Sequence, residues 1–252
     1  MMNATYIRID LVRQFRDLGN IIFVMTMPVI MYLIFGATVA GGNDPAGHAN
    51  VKFYVMASMA AYGAALAATT MTGTAAVEQM QGWGRQMGLT PVSNRSVVAM
   101  KVFVALVVTA CAIVLIYLVG YVTGARAEHW GIWAATAAIT LGGSALYAIF
   151  GYMVALRFKS ESALGVATGI LVLMSFVGNV FMPLTGAMLT FGKFTPMYGY
   201  VGLVRWPQLE GVLVQEDGGS DPLWALLLNY GVWLVILTVL AVTSVRRGRS
   251  RQ

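Results

Sequence analysis

The sequence has few thiols, imidazoles and charged side chains. It contains one cysteine, Cys111, and two histidines, His48 and His129. A single cysteine excludes an internal disulfide framework and a multi-thiolate metal site, and two histidines cannot supply a multi-histidine site. Charged residues make up 10% of the 252 residues, against about 25% in an average soluble chain.

Apolar residues are correspondingly abundant. They make up 58% of the chain, and the mean hydropathy is +0.74. This composition leaves too little polar side chain to cover a soluble globule of this size, so it predicts an integral membrane protein. The net charge of +6 then indicates membrane orientation, and we expect no nucleic-acid partner.

Six uninterrupted apolar stretches, each 21 to 25 residues long, divide the sequence. About 20 residues of helix cross the hydrocarbon core of a bilayer, and none of the 26 charged residues lies inside a stretch. We therefore predict an all-α membrane protein in which residues 1–252 form a single transmembrane domain. The predicted spans are Asn20–Ala40, Phe53–Val77, Val102–Gly124, Trp133–Leu156, Ala163–Pro183 and Leu223–Val245.

The distribution of Lys and Arg predicts the orientation. Twelve of them flank the spans on the side that holds both termini, including the basic tail 246–252, and four lie on the other side. Because basic residues accumulate on the cytoplasmic side, both termini should be cytoplasmic.

Residues 1–19 precede the first span. Ile7, Leu11, Phe15 and Leu18 lie within one helical arc, and Asp10, Arg13, Arg16 and Asp17 fall on the other side. This pattern predicts an interfacial helix on the cytoplasmic leaflet, with its arginines at anionic headgroups. The alternative is an ordinary juxtamembrane extension.

The cytoplasmic segment 78–101 between the second and third spans is longer than a simple turn. It is polar but holds Trp83, Met87 and Leu89, and Thr90-Pro91 should end any helix there. A short cytoplasmic helix with an apolar face suits the docking of a soluble partner. The alternative is a loop that lies passively on headgroups.

Two further regions have an unusual composition. The outer segment 184–222 contains two apolar patches, Gly186–Gly192 and Met197–Trp206, which are too short to cross and indicate re-entrant or interfacial helices. In the second span, residues 57–76 are dominated by Ala, Gly, Ser and Thr. Such a helix belongs inside the bundle, where its small residues either pack closely or line a cavity.

Several chemistries are absent from the spans. They hold no ionisable residue for ion coupling and no nucleophile–base pair for hydrolysis. The nearest approach to a phosphate-binding loop, Gly186 to Phe194, has the wrong spacing and lies outside. The chain itself should therefore be neither an enzyme nor a binder of cofactor or metal, and energy for active transport must come from a partner.

Two stretches resemble the ABC-2 family of ABC-transporter permeases. Glu78, Gly84-Arg85-Gln86-Met87-Gly88-Leu89-Thr90-Pro91-Val92-Ser93 and Lys101 are similar to the family's segment after helix two. The elements similar to its helix-five exit are Met182-Pro183-Leu184-Thr185-Gly186, Phe194-Thr195-Pro196-Met197-Tyr198 and Leu203-Val204-Arg205.

The resemblance implies a bacterial exporter in the inner (plasma) membrane. Two permease subunits, identical or different, would join two cytoplasmic ATPase subunits, and ATP and Mg would bind to those ATPases. The cargo would be a hydrophobic or amphipathic compound such as a drug, antibiotic, peptide or lipid. The residues implied to contact the ATPase are Glu78, Trp83, Arg85, Met87 and Leu89.

For the substrate pathway we predict three residues of the second span and three of the fifth, namely Thr69, Met71, Thr72, Phe176, Asn179 and Met182. The alternative is that they only pack, since Met and Phe at helical spacing usually do and threonines can bond their own backbone. Two other functions stay open: a non-transporting membrane protein that docks a soluble regulator, and an ion-coupled carrier.

Overall fold

The structure is a computed structural model that describes residues 4–78, 94–158, 162–214 and 219–249. Within these ranges the chain is almost entirely helical, and a two-residue antiparallel hairpin pairs β1 (Pro45–Ala46) with β2 (Ala49–Asn50). The described helices are α1 (Ala4–Arg16), α2 (Leu18–Tyr32), α3 (Val51–Glu78), α4 (Asn94–Thr123), α5 (Trp130–Gly143), α6 (Ala145–Phe158), α7 (Ser162–Val177), α8 (Gly186–Gly192), α9 (Pro196–Leu209) and α10 (Leu223–Arg249).

Five helical segments of the described chain are long and apolar enough to cross a membrane. They are Leu18–Ala37, Val51–Glu78, Ala99–Thr123, Trp130–Phe158 and Leu223–Ser244. Each coincides with one of the predicted spans, and the predicted class of all-α membrane protein is confirmed. Three of the segments are continuous α-helices, Leu18–Ala37 continues α2 as a π-helix over Leu33–Ala37, and Trp130–Phe158 is interrupted at Ser144. All five are helical because lipid offers no partner for an unpaired backbone amide or carbonyl.

The predicted fifth span, Ala163–Pro183, differs from the other five. Its helix, α7, is 16 residues long and ends at Val177. The chain then turns at Asn179, whose φ of +61° lies in the left-handed region that Asn tolerates better than most residues. The side-chain Oδ1 of Asn179 accepts a hydrogen bond from the Leu184 amide at 2.9 Å, which holds this turn. A sixth crossing therefore stays a prediction.

Helix α3 lies at the centre of the bundle and is buried along nearly its whole length. It packs most extensively against α6 and α4. Its small side chains let α6 approach so closely that the Thr69 hydroxyl donates to the Tyr147 carbonyl at 3.2 Å, and the Thr72 hydroxyl to the Ala148 carbonyl at 2.7 Å. The interior position that the small residues predict is the one observed.

The segment predicted as Trp133–Leu156 consists of two helices, α5 and α6, which are interrupted at Ser144. Tyr200 of α9 packs against this break, and a side chain at Gly143 would overlap its ring. The Tyr200 hydroxyl donates to the Thr140 carbonyl at 2.7 Å. The break therefore makes room for an aromatic side chain from the outer segment.

Helices α8 and α9 form at the two apolar patches predicted in the outer segment 184–222. The Gln208 side chain of α9 donates to the Ala46 carbonyl at 2.8 Å, and the His48 amide donates to the Gln208 carbonyl at 2.9 Å. Asn50 in turn donates through Nδ2 to the Gly124 carbonyl at 2.9 Å. The hairpin thus connects α9 to the loop between α4 and α5.

His48 lies on the exposed side of this hairpin and contacts two carboxylates. Its Nδ1 is 2.9 Å from Glu128 Oε2, and its Nε2 is 3.6 Å from Glu210 Oε1. The hydrogen bond with Glu128, followed by the charge of Glu128, raises the pKa of His48 above 6.5. The charged imidazolium is therefore favoured in the folded protein.

We expect Glu128→Gln to lower the pKa of His48. The stability contributed by the raised pKa is present below about pH 6.5 and is lost as the pH rises through the folded-state value. With only two histidines in the chain, NMR of ¹³C-labelled histidine measures the pKa directly, and His129→Gln assigns the signals. A His48 pKa that is identical in wild type and Glu128→Gln would contradict the assignment of the carboxylate as its cause.

Candidate functional site

Four charged side chains meet where α3 ends on the side predicted to be cytoplasmic. Lys101 of α4 places its Nζ 2.8 Å from Asp10 Oδ1 of α1 and 3.1 Å from Glu78 Oε2, the last residue of α3. Arg13, one turn after Asp10 on α1, pairs with the other oxygen of Glu78. We call Asp10, Arg13, Glu78 and Lys101 the ion-pair cluster.

Asp10 is buried, and Glu78 and Lys101 are partly buried. The exposed fraction of the side chain is 6% for Asp10, 12% for Glu78 and 13% for Lys101, whereas it is 49% for Arg13. Buried charges are stable only when opposite charges compensate them, and this cluster contains two of each sign. Asp10 Oδ2 has no hydrogen-bond partner within the described chain, so the compensation of Asp10 depends on Lys101.

The cluster stands at the base of the predicted coupling segment. Glu78 ends α3 and Lys101 lies in the second turn of α4, so both ends of the intervening chain are tied to α1. Of the five residues predicted to contact an ATPase, the structure places Glu78 in the cluster. The other four, Trp83, Arg85, Met87 and Leu89, lie outside the described residues, and their role stays a prediction.

The contribution of α1 to this site was not predicted. The sequence places Asp10 and Arg13 on the polar side of an interfacial helix, but the face turned towards the bundle carries Asp10 and Gln14, both buried. Phe15 and Leu18, from the apolar arc, are exposed. One sequence pattern could have indicated this contact. Asp10 and Arg13 lie one helical turn apart before the first span, and residues of opposite charge, Glu78 and Lys101, bound the segment 78–101.

The three residues predicted for the pathway in the second span pack against neighbouring helices of this chain. Thr69 and Met71 are buried. Met71 packs with Ile21 of α2 and with α4. Because the hydroxyls of Thr69 and Thr72 donate to carbonyls of α6, their contacts in this conformation join helices.

The three residues predicted in the fifth span have different environments. Asn179 is buried, and its carbonyl accepts a hydrogen bond from Arg205 Nη2 at 2.8 Å. Phe176 and Met182 are about half exposed. Phe176 contacts Phe181 with ring centroids 4.8 Å apart, and Phe181 contacts Tyr62 of α3 at 5.0 Å. The exposed surface of α7 is thus connected to α3 by a row of aromatic rings.

The helices and the ion-pair cluster define a multi-pass all-α membrane protein in which charges join α1 to α3 and α4. The model of the family described as "ABC-2 family transporter protein" matches residues 10–204. That match covers most of the sequence, so the chain belongs to the ABC-2 family. The membership of the ABC-2 family that the sequence resemblance predicted is confirmed.

A comparison with individual proteins agrees with the family. The chain is 22% identical over 236 residues to the "Putative transport permease YvfS" of Bacillus subtilis (strain 168), and the match covers 92% of each protein. ABC-2 proteins are the membrane transport component of ABC transporters and associate with an ABC ATPase; they are not themselves the nucleotide-binding ATPase.

Proposed function

We propose that this chain is the permease subunit of an ATP-binding cassette exporter that moves a hydrophobic or amphipathic compound out of the cell. Membership of the ABC-2 family is the observation that carries the proposal. The predominance of Lys and Arg on one side of the spans supports the orientation, with both termini cytoplasmic. The complex would lie in the bacterial inner membrane, with six spans in each permease subunit.

In the proposed complex, two cytoplasmic ATPase subunits bind ATP and Mg and contact two permease subunits, which are identical or different. The segment that begins at Glu78 would dock in a groove of the ATPase through Trp83, Arg85, Met87 and Leu89. ATP must then bind better to one state of the complex than to the other, because a ligand shifts an equilibrium only by its differential affinity.

The ion-pair cluster supplies the route for this motion. A displacement of the docked segment reaches α3 through Glu78 and α4 through Lys101, and both side chains also contact α1. Because the contacts of Lys101 with Asp10 and Glu78 are charged and largely shielded from solvent, separating them is costly. The three helix ends therefore move as a unit, and the central helix α3 transmits the motion to α6 and α7, against which it packs.

For the cargo we propose the exposed surface that carries Phe176 and Met182, together with the aromatic row that leads to Tyr62. Thr69 and Thr72 would contact cargo only after α3 and α6 separate, because their hydroxyls now donate to α6. Met71 would first have to leave its contacts with α2 and α4, and Asn179 its hydrogen bonds with Leu184 and Arg205. Aromatic and thioether side chains suit an apolar or amphipathic compound.

Charge reversal at Arg85 tests the docking. We expect Arg85→Glu to reduce co-purification with the cognate ATPase at least severalfold, and deletion of residues 79–89, which leaves the ion-pair cluster intact, to abolish it. The matched control is Arg126→Glu, which changes an arginine of the loop between α4 and α5, on the side predicted to be outer. Undiminished binding of the ATPase by the deletion variant excludes the docking role.

Transport is tested with the reconstituted complex in vesicles and a fluorescent amphipathic dye. We expect dye movement that requires ATP, stops when the ATPase partner carries an inactivating substitution, and persists when the proton gradient is collapsed. A stable complex that never moves any compound would instead indicate a non-transporting anchor, and loss of transport with the gradient would indicate an ion-coupled carrier.

A further inference from the structure

Arg205 of α9 is a buried cation near the end of the bundle predicted to face outward. Only 6% of the surface of Arg205 is exposed to solvent. Nε and Nη2 donate to Ser58 Oγ at 3.0 and 2.7 Å, and Nη2 also donates to the Asn179 carbonyl at 2.8 Å. The guanidinium carbon lies 4.1 Å from the centroid of the Tyr54 ring. All of these partners are neutral.

No carboxylate of the described chain lies within ion-pair distance of Arg205. Asp221 lines the same cavity, but Lys193 Nζ is 2.7 Å from its Oδ1 and the Tyr198 hydroxyl donates to its Oδ2. A buried charge without a counter-charge is costly. Neutral acceptors and an aromatic face lower that cost, but they leave the positive charge uncompensated.

A cavity of about 40 Å³ adjoins Arg205. One water needs about 10–15 Å³ of such a cavity, so the cavity has room for one small polar group. The hydrogen bonds of Arg205 with the described residues use Nε and Nη2 and leave Nη1 for a ligand in the cavity. Much of the lining is leucine: Leu184, Leu189, Leu209, Leu213 and Leu226.

We propose that Arg205 binds the single anionic group, a carboxylate or a phosphate monoester, of an amphiphile whose apolar part lies outside the cavity. Guanidinium is well suited to such groups because its paired N–H donors match their oxygens. A lipid headgroup and an acidic cargo share this chemistry. The inference goes beyond the proposed function, since binding at Arg205 requires neither the ATPase nor transport.

The test measures the thermal unfolding of the isolated full-length chain in a neutral detergent. Dodecyl phosphate and dodecanoate should raise the melting temperature saturably, whereas 1-dodecanol should not and inorganic phosphate should act only weakly. Arg205→Gln should weaken the binding of dodecyl phosphate about thirtyfold or more, as expected when one partner of a buried charge pair is removed. Arg126→Gln is the matched control, because Arg126 also stacks on a tyrosine, Tyr121, at 5.1 Å.

Asp221→Asn provides a second binding test that keeps Arg205 in place. This variant can be measured even if Arg205→Gln does not fold. It removes the carboxylate from the cavity lining while the new amide oxygen still accepts from Tyr198, so dodecyl phosphate should bind severalfold more tightly. Equal binding of dodecanol and dodecyl phosphate, or the same affinity in wild type, Arg205→Gln and Asp221→Asn, overturns the proposal.

Mass spectrometry of the purified chain distinguishes the two sources of the anion. An acidic phospholipid that co-purifies with wild type and Asp221→Asn but not with Arg205→Gln identifies a lipid headgroup. Binding of the added amphiphiles by a chain with which no phospholipid co-purifies identifies a site for acidic cargo. A chain that transports with its ATPase but binds none of these anions contradicts this inference alone and leaves the proposed function intact.

Discussion

Replacement of Lys101 by Met is expected to lower the free energy of unfolding by about 3–5 kcal/mol. The Nζ of Lys101 lies 2.8 Å from Asp10 Oδ1 and 3.1 Å from Glu78 Oε2, and each of the three side chains is at most 13% exposed. Met keeps the apolar stem but leaves Asp10 without its cation. The measurement is denaturant unfolding of the purified chain in mixed micelles.

Two further variants separate the charge effect from loss of packing. Asp10→Asn in the Lys101→Met background should recover part of the lost stability, because it removes the uncompensated carboxylate. Arg13→Met, whose side chain is half exposed, should cost about 0–1 kcal/mol, as surface ion pairs do. If Arg13→Met costs as much as Lys101→Met, burial does not determine the strength of these pairs.

Gly151→Ala is expected to separate α3 from α6. A methyl group at Gly151 would overlap the Thr69 carbonyl oxygen and would lie 2.7 Å from the Thr69 Cα, which are backbone atoms that no rotamer change can move. Overpacking of this kind costs about 1–3 kcal/mol or more. The yield of monodisperse protein and its melting temperature should both fall.

The same substitution at Gly142 is the matched control. Gly142 lies in α5, and a methyl group there would meet no atom within 4 Å. Alanine has the higher helix propensity, so Gly142→Ala should leave the melting temperature unchanged or raise it. Equal losses from both variants would mean that the effect arises in the helix itself rather than in the contact between α3 and α6.

Both predictions concern contacts between α3 and its neighbouring helices. The ion-pair cluster joins α3 to α1 and α4, and the Gly151 contact joins it to α6. In the proposed exporter, α3 passes the motion of the ATPase to the rest of the bundle. Lys101→Met and Gly151→Ala should therefore also uncouple ATP hydrolysis from transport in whatever fraction still assembles.

The membrane class and five of the spans followed from the sequence alone. In lipid, each spanning segment must satisfy its own backbone hydrogen bonds, so it forms a helix whatever its neighbours are. Freedom from charge over about 20 residues is local evidence, and it identified these five segments. Ala163–Pro183 meets the same criterion, but its helix ends at Val177. The interior position of α3 was equally readable, because a run of Ala, Gly, Ser and Thr favours close helix contacts over lipid exposure.

The contacts between helices were decided only by the tertiary structure. Asp10 lies 91 residues from Lys101, and Arg205 lies 147 residues from Ser58, so no local pattern predicts either contact. The same limit applies to Thr69, whose hydroxyl could have lined a pathway but donates to α6 instead. Sequence determines which segments enter the bilayer because that depends on each segment's own solvation. Which side chains meet depends on the rotation and depth of every helix, and these are set by the packing of the whole bundle.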